Sequence, residues 1–293
     1  MEALTAEQKS FYEEHGYLLL ERRIPMAIIE EIRAEIARFE DEARGMAASN
    51  DRLDLEDSHT PGTPRVRRIK LPHLLSEPAA KLLRSDHILA PARDLLGPDI
   101  RLHTTKLNMK SAGYGAAVEW HQDFAFYPHT NDDVLAIGVL IDDLEPSNGP
   151  LMVFPGSHKG PIHDHFDDGV FVGAMDIARD GYDLKDAAVL TGPAGSISIH
   201  HGRAVHGSAL NRSDRDRRML FFEMMAADAF PIMGSDTKFA SLDEYDERML
   251  CGAPTDTPRL APVPVRIPLP KPAKAGSIYE LQSGLKKRAF ERI

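Results

Sequence analysis

The chain has 293 residues, of which 42% are hydrophobic and 27% are charged, a composition typical of a globular protein with ample core. Its formal net charge of −10 argues against nucleic acid or an anionic membrane as a partner, because both attract basic surfaces. A single cysteine excludes an intramolecular disulfide and fits a reducing compartment. No apolar run reaches the roughly 20 residues of a membrane span. We therefore expect one cytoplasmic domain over residues 1–293, as a monomer or a homodimer.

The first 99 residues are predicted to be mainly helical support. Thr5 and Gln8 have the spacing of a capping box, and Gly16 predicts the end of the first helix. Further along, apolar residues recur at helical spacing, interrupted by polar stretches. In chain order these patterns predict a strand at 17–20, an amphipathic helix at 26–45 preceded by Pro25, an exposed loop at 46–66 and helix at 76–96.

From residue 100 the pattern changes to short strands separated by glycine and proline. The strand-like runs are 100–109, 134–141, 151–154, 196–200 and 219–224. Many short strands with frequent turn signals indicate a sandwich or jelly roll rather than a parallel βαβ sheet. We therefore place a β core at 100–228.

Two segments lie outside this strand pattern. Residues 157–187 form a long insertion rich in His, Asp and Gly, and loops of that length commonly act as lids. Its His163 and His165 have ligand-like spacing but are predicted to be solvated. The prolines of 253–272 exclude helix and central strand, so we expect residues 229–293 to wrap the surface.

The most informative motif is His121-x-Asp123, followed further along by His206 in a His-Gly-Ser sequence. Two imidazoles and one carboxylate are the ligands that hold a non-haem Fe(II) and leave other coordination positions open. On a strand, residues i and i+2 point to the same face and can grip one ion. Alone, the pattern is more typical of an ordinary His-Asp strand pair. His200 is an alternative distal ligand.

Further motifs occur in a recognisable order. They are Phe11–Leu20, Leu107–Lys110, Glu119–Asp123, residues 132–135, Asp142-Asp143, Asn148-Gly149-x-Leu-x-x-x-Pro-Gly-Ser-His158, and His206-Gly-Ser208 with Asn211, Ser213 and Arg217-Arg218. The run that ends at His158 is the most specific of them. In these motifs the chain resembles the phytanoyl-CoA dioxygenase family of Fe(II)/2-oxoglutarate-dependent oxygenases, over residues 5–225.

The resemblance implies a mainly β fold with flanking helices around a double-stranded β-helix, a cupin-like jelly roll. It implies that His121, Asp123 and His206 form the catalytic iron centre. The co-substrate 2-oxoglutarate is expected to bind Arg217, eleven residues after the distal histidine, and Ser208, two residues after it, because a guanidinium fork matches a carboxylate. Lys106 and Asn108 are further co-substrate candidates, whereas Arg218 should point to the opposite strand face.

The activity that the resemblance implies is hydroxylation of a small-molecule metabolite, with O₂ as oxidant and 2-oxoglutarate converted to succinate and CO₂. The same scaffold could instead catalyse desaturation, epimerisation or ring formation. A non-catalytic metal-binding jelly-roll module and a zinc hydrolase are alternatives of other classes. Substrate contacts are predicted for Gln122, Phe126, Tyr127 and Arg68, although aromatic residues beside a strand are more often part of the core, and a solvated basic patch explains the arginine more readily.

Overall fold

A computed structural model describes residues 3–113, 115–233, 239–263, 265–273, 275–285 and 288–290. Parts of the predicted C-terminal wrap, 234–238 among them, lie outside the described residues. The helices are α1 (Ala6–His15), α2 (Met26–Ala43), α3 (Pro72–Leu75), α4 (Glu77–Leu83), α5 (Asp86–Leu96), α6 (Leu242–Asp246) and α7 (Ile278–Gln282). The strands are β1 (Tyr17–Leu20), β2 (Leu53–Leu55), β3 (Val66–Lys70), β4 (Ile100–Lys110), β5 (Val118–His121), β6 (Val134–Leu140), β7 (Leu151–Val153), β8 (Phe166–Asp167), β9 (Val170–Phe171), β10 (Ala188–Leu190), β11 (Ile197–His201), β12 (His206–Ser208), β13 (Arg217–Ala226) and β14 (Met249–Cys251).

The strands form two main antiparallel sheets. The larger has the order β1-β11-β6-β13-β4-β3-β2, with β14 also paired to β4, and the smaller has the order β10-β7-β12-β5. Neighbours in each sheet are often distant in sequence, which is the crossover pattern of a jelly roll. Side chains from both sheets line one cavity. The predicted fold class, a jelly-roll core with flanking helices, is confirmed.

The first two helices follow from local sequence signals. The Thr5 side chain accepts a hydrogen bond from the Gln8 backbone and the Gln8 side chain accepts one from Thr5, so the predicted capping box is present. Gly16 ends α1 in the left-handed conformation, with φ 76°. In α2 the predicted apolar positions Ile29, Ile32, Ile36 and Phe39 are all buried. Helix α2 begins directly after Pro25, as its spacing indicates.

The expected exposed loop at 46–66 is wrong, because β2 lies inside it with Leu53 and Leu55 buried. The polar residue between them misled the prediction. Asp54 is itself buried and forms ion pairs of 2.7 Å with Arg68 and with Lys70 of β3. A carboxylate that is matched by two cations can be buried at tolerable cost, so a polar segment here forms part of the sheet.

The predicted helix at 76–96 is divided into α4 and α5, with Ser85 at the start of α5. The predicted boundaries at residues 99 and 228 stay predictions, although β1, β2, β3 and β14 join the same sheet as the core strands. Within the described residues, no helix combines the length and the apolar character needed to cross a membrane.

Candidate active site

One wall of the cavity comes from β4 and β13, which pair antiparallel. Alternate side chains of a strand share a face, and every second residue along 106–110 and 217–223 reaches the cavity. These residues are Lys106, Asn108 and Lys110 from β4, and Arg217, Met219, Phe221 and Glu223 from β13. The wall is therefore rich in ionisable groups, with three basic side chains and one carboxylate.

The facing wall comes from the smaller sheet. His121 ends β5, His206 begins β12, and the two are direct partners across the sheet. Asp123 does not continue the strand, as the spacing argument assumed, but begins a short 3-10 turn after it. All three residues are buried, and one ligand atom from each lies within 4.8 Å of the others. The structure thus brings the three predicted metal ligands together.

The two histidines are held in the tautomer that a metal ligand needs. Nδ1 of His121 lies 2.8 Å from the Glu119 carbonyl, and Nδ1 of His206 lies 2.9 Å from the Ala204 carbonyl. A carbonyl can only accept, so Nδ1 carries the proton and the Nε2 lone pair stays free. These Nε2 atoms lie 3.6 and 3.8 Å from the Asp123 carboxylate, which leaves room between them for an ion.

Burial keeps the cluster in the protonation state that binds metal. Burial lowers the pKa of His206 well below its ordinary value, and the neighbouring His121 and His200 lower it further. Burial alone would raise the pKa of Asp123, but the imidazoles of His206, His121 and His200 around it outweigh that effect and hold the pKa well below the usual range. A neutral imidazole and an ionised carboxylate are the forms that coordinate a cation.

His200, the alternative distal ligand, lies beside the cluster rather than in it. Its Nε2 is 3.2 Å from Oδ2 of Asp123, and its ring centroid is 4.3 Å from that of His206. The three-residue group that can share one ion contains His206 and not His200. The geometry therefore favours His200 as a residue that orients the Asp123 carboxylate.

Arg217 is a buried cation that lines the cavity. Its Nε and Nη2 donate to the Gly149 carbonyl, and no carboxylate within the described ranges forms an ion pair with it. Burial lowers its pKa to about 10, so the guanidinium remains charged at neutral pH. A buried charge without a counter-ion is costly, and an anionic ligand in the cavity would relieve that cost.

Ser208 and Lys110 lie next to this arginine and are linked to each other. Nζ of Lys110 donates to the Ser208 hydroxyl at 2.8 Å and to the Ser208 and Ala209 carbonyls. Burial, followed by the Arg217 charge, lowers the pKa of Lys110 well below its ordinary value. Lys110 had no predicted role, yet the alternation that selects Lys106 and Asn108 also selects the residue two positions further on.

Lys106 and Asn108, the other predicted co-substrate residues, also line the cavity. Nζ of Lys106 is 2.5 Å from the buried Glu223 carboxylate. Oδ1 of Asn108 is buried and has no hydrogen-bond partner within the part of the chain that the structure describes. Lys106 is thus already paired with Glu223, whereas Oδ1 of Asn108 can still accept a hydrogen bond.

Gln122, predicted to contact substrate, instead fastens the insertion 157–187. Its side-chain nitrogen donates to the Pro161 and Arg203 carbonyls, and its side-chain oxygen accepts from the His163 backbone at 2.8 Å. The Gln122 backbone donates to Nε2 of His165 at 2.9 Å. His165 is 1% exposed and the His163 side chain is 11% exposed, so the prediction that these two histidines are solvated is wrong. His165 packs against the segment that carries the metal ligands, and the His163 ring contacts Tyr182.

The remaining substrate candidates do not line the cavity. The Phe126 ring lies edge-on to His121, with centroids 5.6 Å apart. Tyr127 is buried against His103, and burial and the nearby Asp123 and Glu223 carboxylates raise its pKa well above the ordinary value. Arg68 pairs with Asp54 and donates to the Gly276 carbonyl. Arg68 thus forms an internal ion pair, and substrate contacts of Phe126 and Tyr127, which lie beside the metal ligands, stay predictions.

Two cavity residues that the sequence did not suggest come from the C-terminal segment. Ile278 and Tyr279 of α7 line the cavity together with Arg217 and Ser208. The proline pattern around them indicated only a surface wrap. No local signal marks α7 as part of a site, since its approach depends on the path of the whole tail.

The jelly roll places a buried His-Asp-His cluster and an unpaired arginine in one cavity. This arrangement is expected of iron- and 2-oxoglutarate-dependent oxygenases. The sequence model of the phytanoyl-CoA dioxygenase (PhyH) family matches residues 12–219. The chain belongs to this family.

Relatives and solved structures agree with this assignment. A probable alpha-ketoglutarate-dependent hypophosphite dioxygenase of Stutzerimonas stutzeri is 35% identical, over 97% of this chain and 99% of the relative. An ectoine dioxygenase of Bordetella parapertussis is 31% identical over 75% of each chain. The crystal structure of EctD from S. alaskensis with bound iron has the same fold, with a TM-score of 0.67 at 21% identity over 91% of this chain and 89% of that one.

Proposed function

We infer that this chain is an Fe(II)- and 2-oxoglutarate-dependent dioxygenase that hydroxylates a small molecule. The single observation that carries the inference is the buried His121, Asp123 and His206 cluster in the same cavity as the uncompensated cation Arg217. The His-Asp-His cluster fits a divalent metal, and Arg217 fits a carboxylate. A non-catalytic binding module would need no such combination.

The residues present fit the iron and its co-substrate. Two neutral Nε2 atoms and one ionised carboxylate would hold the metal, and the remaining positions would face the cavity. When bound, iron supplies with O₂ the oxidising chemistry, in which 2-oxoglutarate is converted to succinate and CO₂. The protein keeps this chemistry away from bulk water, because all three ligands are at most 5% exposed.

Arg217 would bind the carboxylate of 2-oxoglutarate that lies away from the metal. Ser208 would add a hydrogen bond, with Lys110 fixing the position of its hydroxyl. The Asn108 amide would offer polar contacts from the same wall. Lys106 would help to balance the charge around the site, through its ion pair with Glu223.

We place a small oxyanion such as hypophosphite first among the substrate candidates. The hypophosphite dioxygenase relative matches nearly the whole chain, whereas the ectoine dioxygenases match about three quarters of it. We further propose a single cytoplasmic domain, monomeric or homodimeric, without nucleic acid or membrane partners, which the net charge of −10 and the single cysteine support.

Substrate-dependent succinate release tests this function. Iron-loaded protein would be given 2-oxoglutarate, O₂ and, separately, hypophosphite, ectoine or L-proline. We expect succinate above the substrate-free rate with one of these compounds, loss of it in Asp123→Ala, and no change in Asp214→Ala, whose side chain is 97% exposed. Equal turnover by wild type and Asp123→Ala would reject the assigned site, and no turnover with any compound would reject the proposed substrates.

A further inference from the structure

The C-terminal helix α7 completes the cavity at the end where Arg217 lies. Tyr279 is 8% exposed and lines the cavity with Ile278, Arg217, Lys110 and Ser208. This helix lies beyond residues 12–219, the part that the family model matches. The wall it forms therefore comes from outside the part of the chain that the family model matches.

Hydrogen bonds fasten the segment to the strand that carries a metal ligand. Oε1 of Gln282 accepts from the Glu119 backbone at 3.0 Å, and Nε2 of Gln282 donates to the Gly173 carbonyl at 2.8 Å. The Ala289 backbone donates to the Glu119 carboxylate at 2.8 Å. Glu119 is two residues before His121, so the position of α7 is coupled to β5.

Apolar contacts also hold this C-terminal segment in place. Phe290 is 1% exposed and stacks on Trp120, with ring centroids 5.3 Å apart and an interplanar angle of 20°. Leu281 is buried against Ala125 and Phe171. A segment with these anchors is a built part of the fold rather than a loosely attached tail.

The surroundings of Tyr279 suit a hydrogen-bond donor that faces an anion. The Arg67 guanidinium lies 4.8 Å from the ring centroid, and the Arg217 charge acts on the hydroxyl. Burial nevertheless raises the pKa of Tyr279 above its ordinary value, so the hydroxyl keeps its proton. Within the described residues that hydroxyl forms no hydrogen bond, which leaves it available to a ligand.

We propose that Tyr279 is a co-substrate-binding residue, whose hydroxyl donates to the same carboxylate of 2-oxoglutarate as Arg217, and that α7 closes this end of the cavity. The inference rests on the proposed function, because it names a further contact of that co-substrate. It assigns the C-terminal segment a role in binding rather than in surface packing alone.

The test is the dissociation constant for 2-oxoglutarate, measured by anaerobic calorimetric titration of Fe(II)-loaded full-length protein. We expect Tyr279→Phe to raise it about tenfold, the effect of losing one hydrogen bond to a charged group. Tyr17→Phe, the same change at a residue that does not line the cavity, should leave it at the wild-type value. If the wild type binds no 2-oxoglutarate, the proposed function fails together with this inference. If the wild type binds it and Tyr279→Phe binds it equally tightly, only the inference fails.

Fluorescence of the single tryptophan distinguishes the loss of the Tyr279 hydroxyl from undocking of the whole C-terminal segment. Trp120 stacks on Phe290, so its fluorescence reports whether the segment is docked. Tyr279→Phe should keep the wild-type emission while weakening binding, whereas Phe290→Ala should shift the emission and weaken binding as well. A shifted emission in Phe290→Ala with an unchanged dissociation constant would overturn the closing role of α7.

Discussion

Arg217 and Arg218 are adjacent residues with opposite environments. Arg217 is 3% exposed and faces the cavity. Arg218 points to the other face of β13, where it forms a two-pronged ion pair with Asp142 at 2.7 and 2.8 Å. The alternation of a strand thus gives one guanidinium a protein partner and leaves the other for a ligand.

This contrast provides a matched pair of variants. Arg217→Gln should raise the dissociation constant for 2-oxoglutarate at least about 100-fold, because two hydrogen bonds to a charged group are lost. Arg218→Gln should leave that constant unchanged and lower the free energy of unfolding by about 1 kcal/mol, as for a partly exposed ion pair. Titration calorimetry and urea unfolding measure the two quantities. Similar binding defects in both variants would contradict the assignment of Arg217.

Among the site residues, short motifs predicted the metal ligands, whose residue types are fixed by the chemistry of metal binding. His121, Asp123 and His206 were identifiable from the ordered motifs that carry the family resemblance, and the structure brings them together. Lys110 could have been found by extending the strand alternation from Lys106. Tyr279 could not, because its approach to the cavity depends on a tail of some 50 residues, in which no periodic pattern fixes the path.

At the scale of elements, the insertion 157–187 is tied to the metal site through Gln122. This residue lies between two predicted ligands and binds three backbone groups of other segments. Motion of the insertion is therefore coupled to the positions of His121 and Asp123. The buried contacts indicate an ordered segment that packs against the stretch carrying His121 and Asp123.

Removing this amide should loosen the insertion. Gln122→Leu has nearly the same volume but leaves buried backbone groups without partners, at a cost of about 1–3 kcal/mol for each group. We expect proteolytic cleavage between residues 161 and 187 to become several-fold faster in limited digestion followed by mass spectrometry. Gln8→Leu, which alters only the α1 cap, serves as the control. Cleavage of the insertion at the wild-type rate in Gln122→Leu would show that this residue does not fasten it.

Elements with strong local signals were predicted, and elements held by tertiary contacts were not. Capping and periodicity placed α1 and α2 to within a few residues. Strand β2 escaped prediction because its central Asp54 is neutralised by cations that arrive from β3. Such a partner is visible only once the chain has folded.

At the scale of the whole molecule, buried neutral histidines make the fold sensitive to acid. Burial lowers the pKa of His129 to about 4, and its ring packs between the Tyr127 carbonyl and the Met225 sulfur, near His103. Below about pH 6.5 the unfolded chain takes up a proton at this position and the folded protein does not. The free energy of unfolding therefore falls as the pH decreases from about 6.5 towards 4.

His129→Gln should make this pH dependence shallower. The slope between pH 6 and 4.5 should decrease by up to about 1.4 kcal/mol per pH unit, the contribution of one proton. Urea unfolding at several pH values measures the slope, and the comparison at pH 8, where the histidine is neutral in both states, gives the cost of the substitution itself. An unchanged slope would mean that His129 protonates equally in the folded and unfolded states.

The central claim is that one cavity binds iron through His121, Asp123 and His206 and presents 2-oxoglutarate to it. Anaerobic addition of Fe(II) and then 2-oxoglutarate, followed by visible absorption, tests this claim most directly, because a co-substrate that chelates the iron produces a weak charge-transfer band. We expect the band in the wild type and in Asp214→Ala, and its loss in Asp123→Ala. Absence of the band from the wild type, or an equal band in Asp123→Ala, would contradict the account.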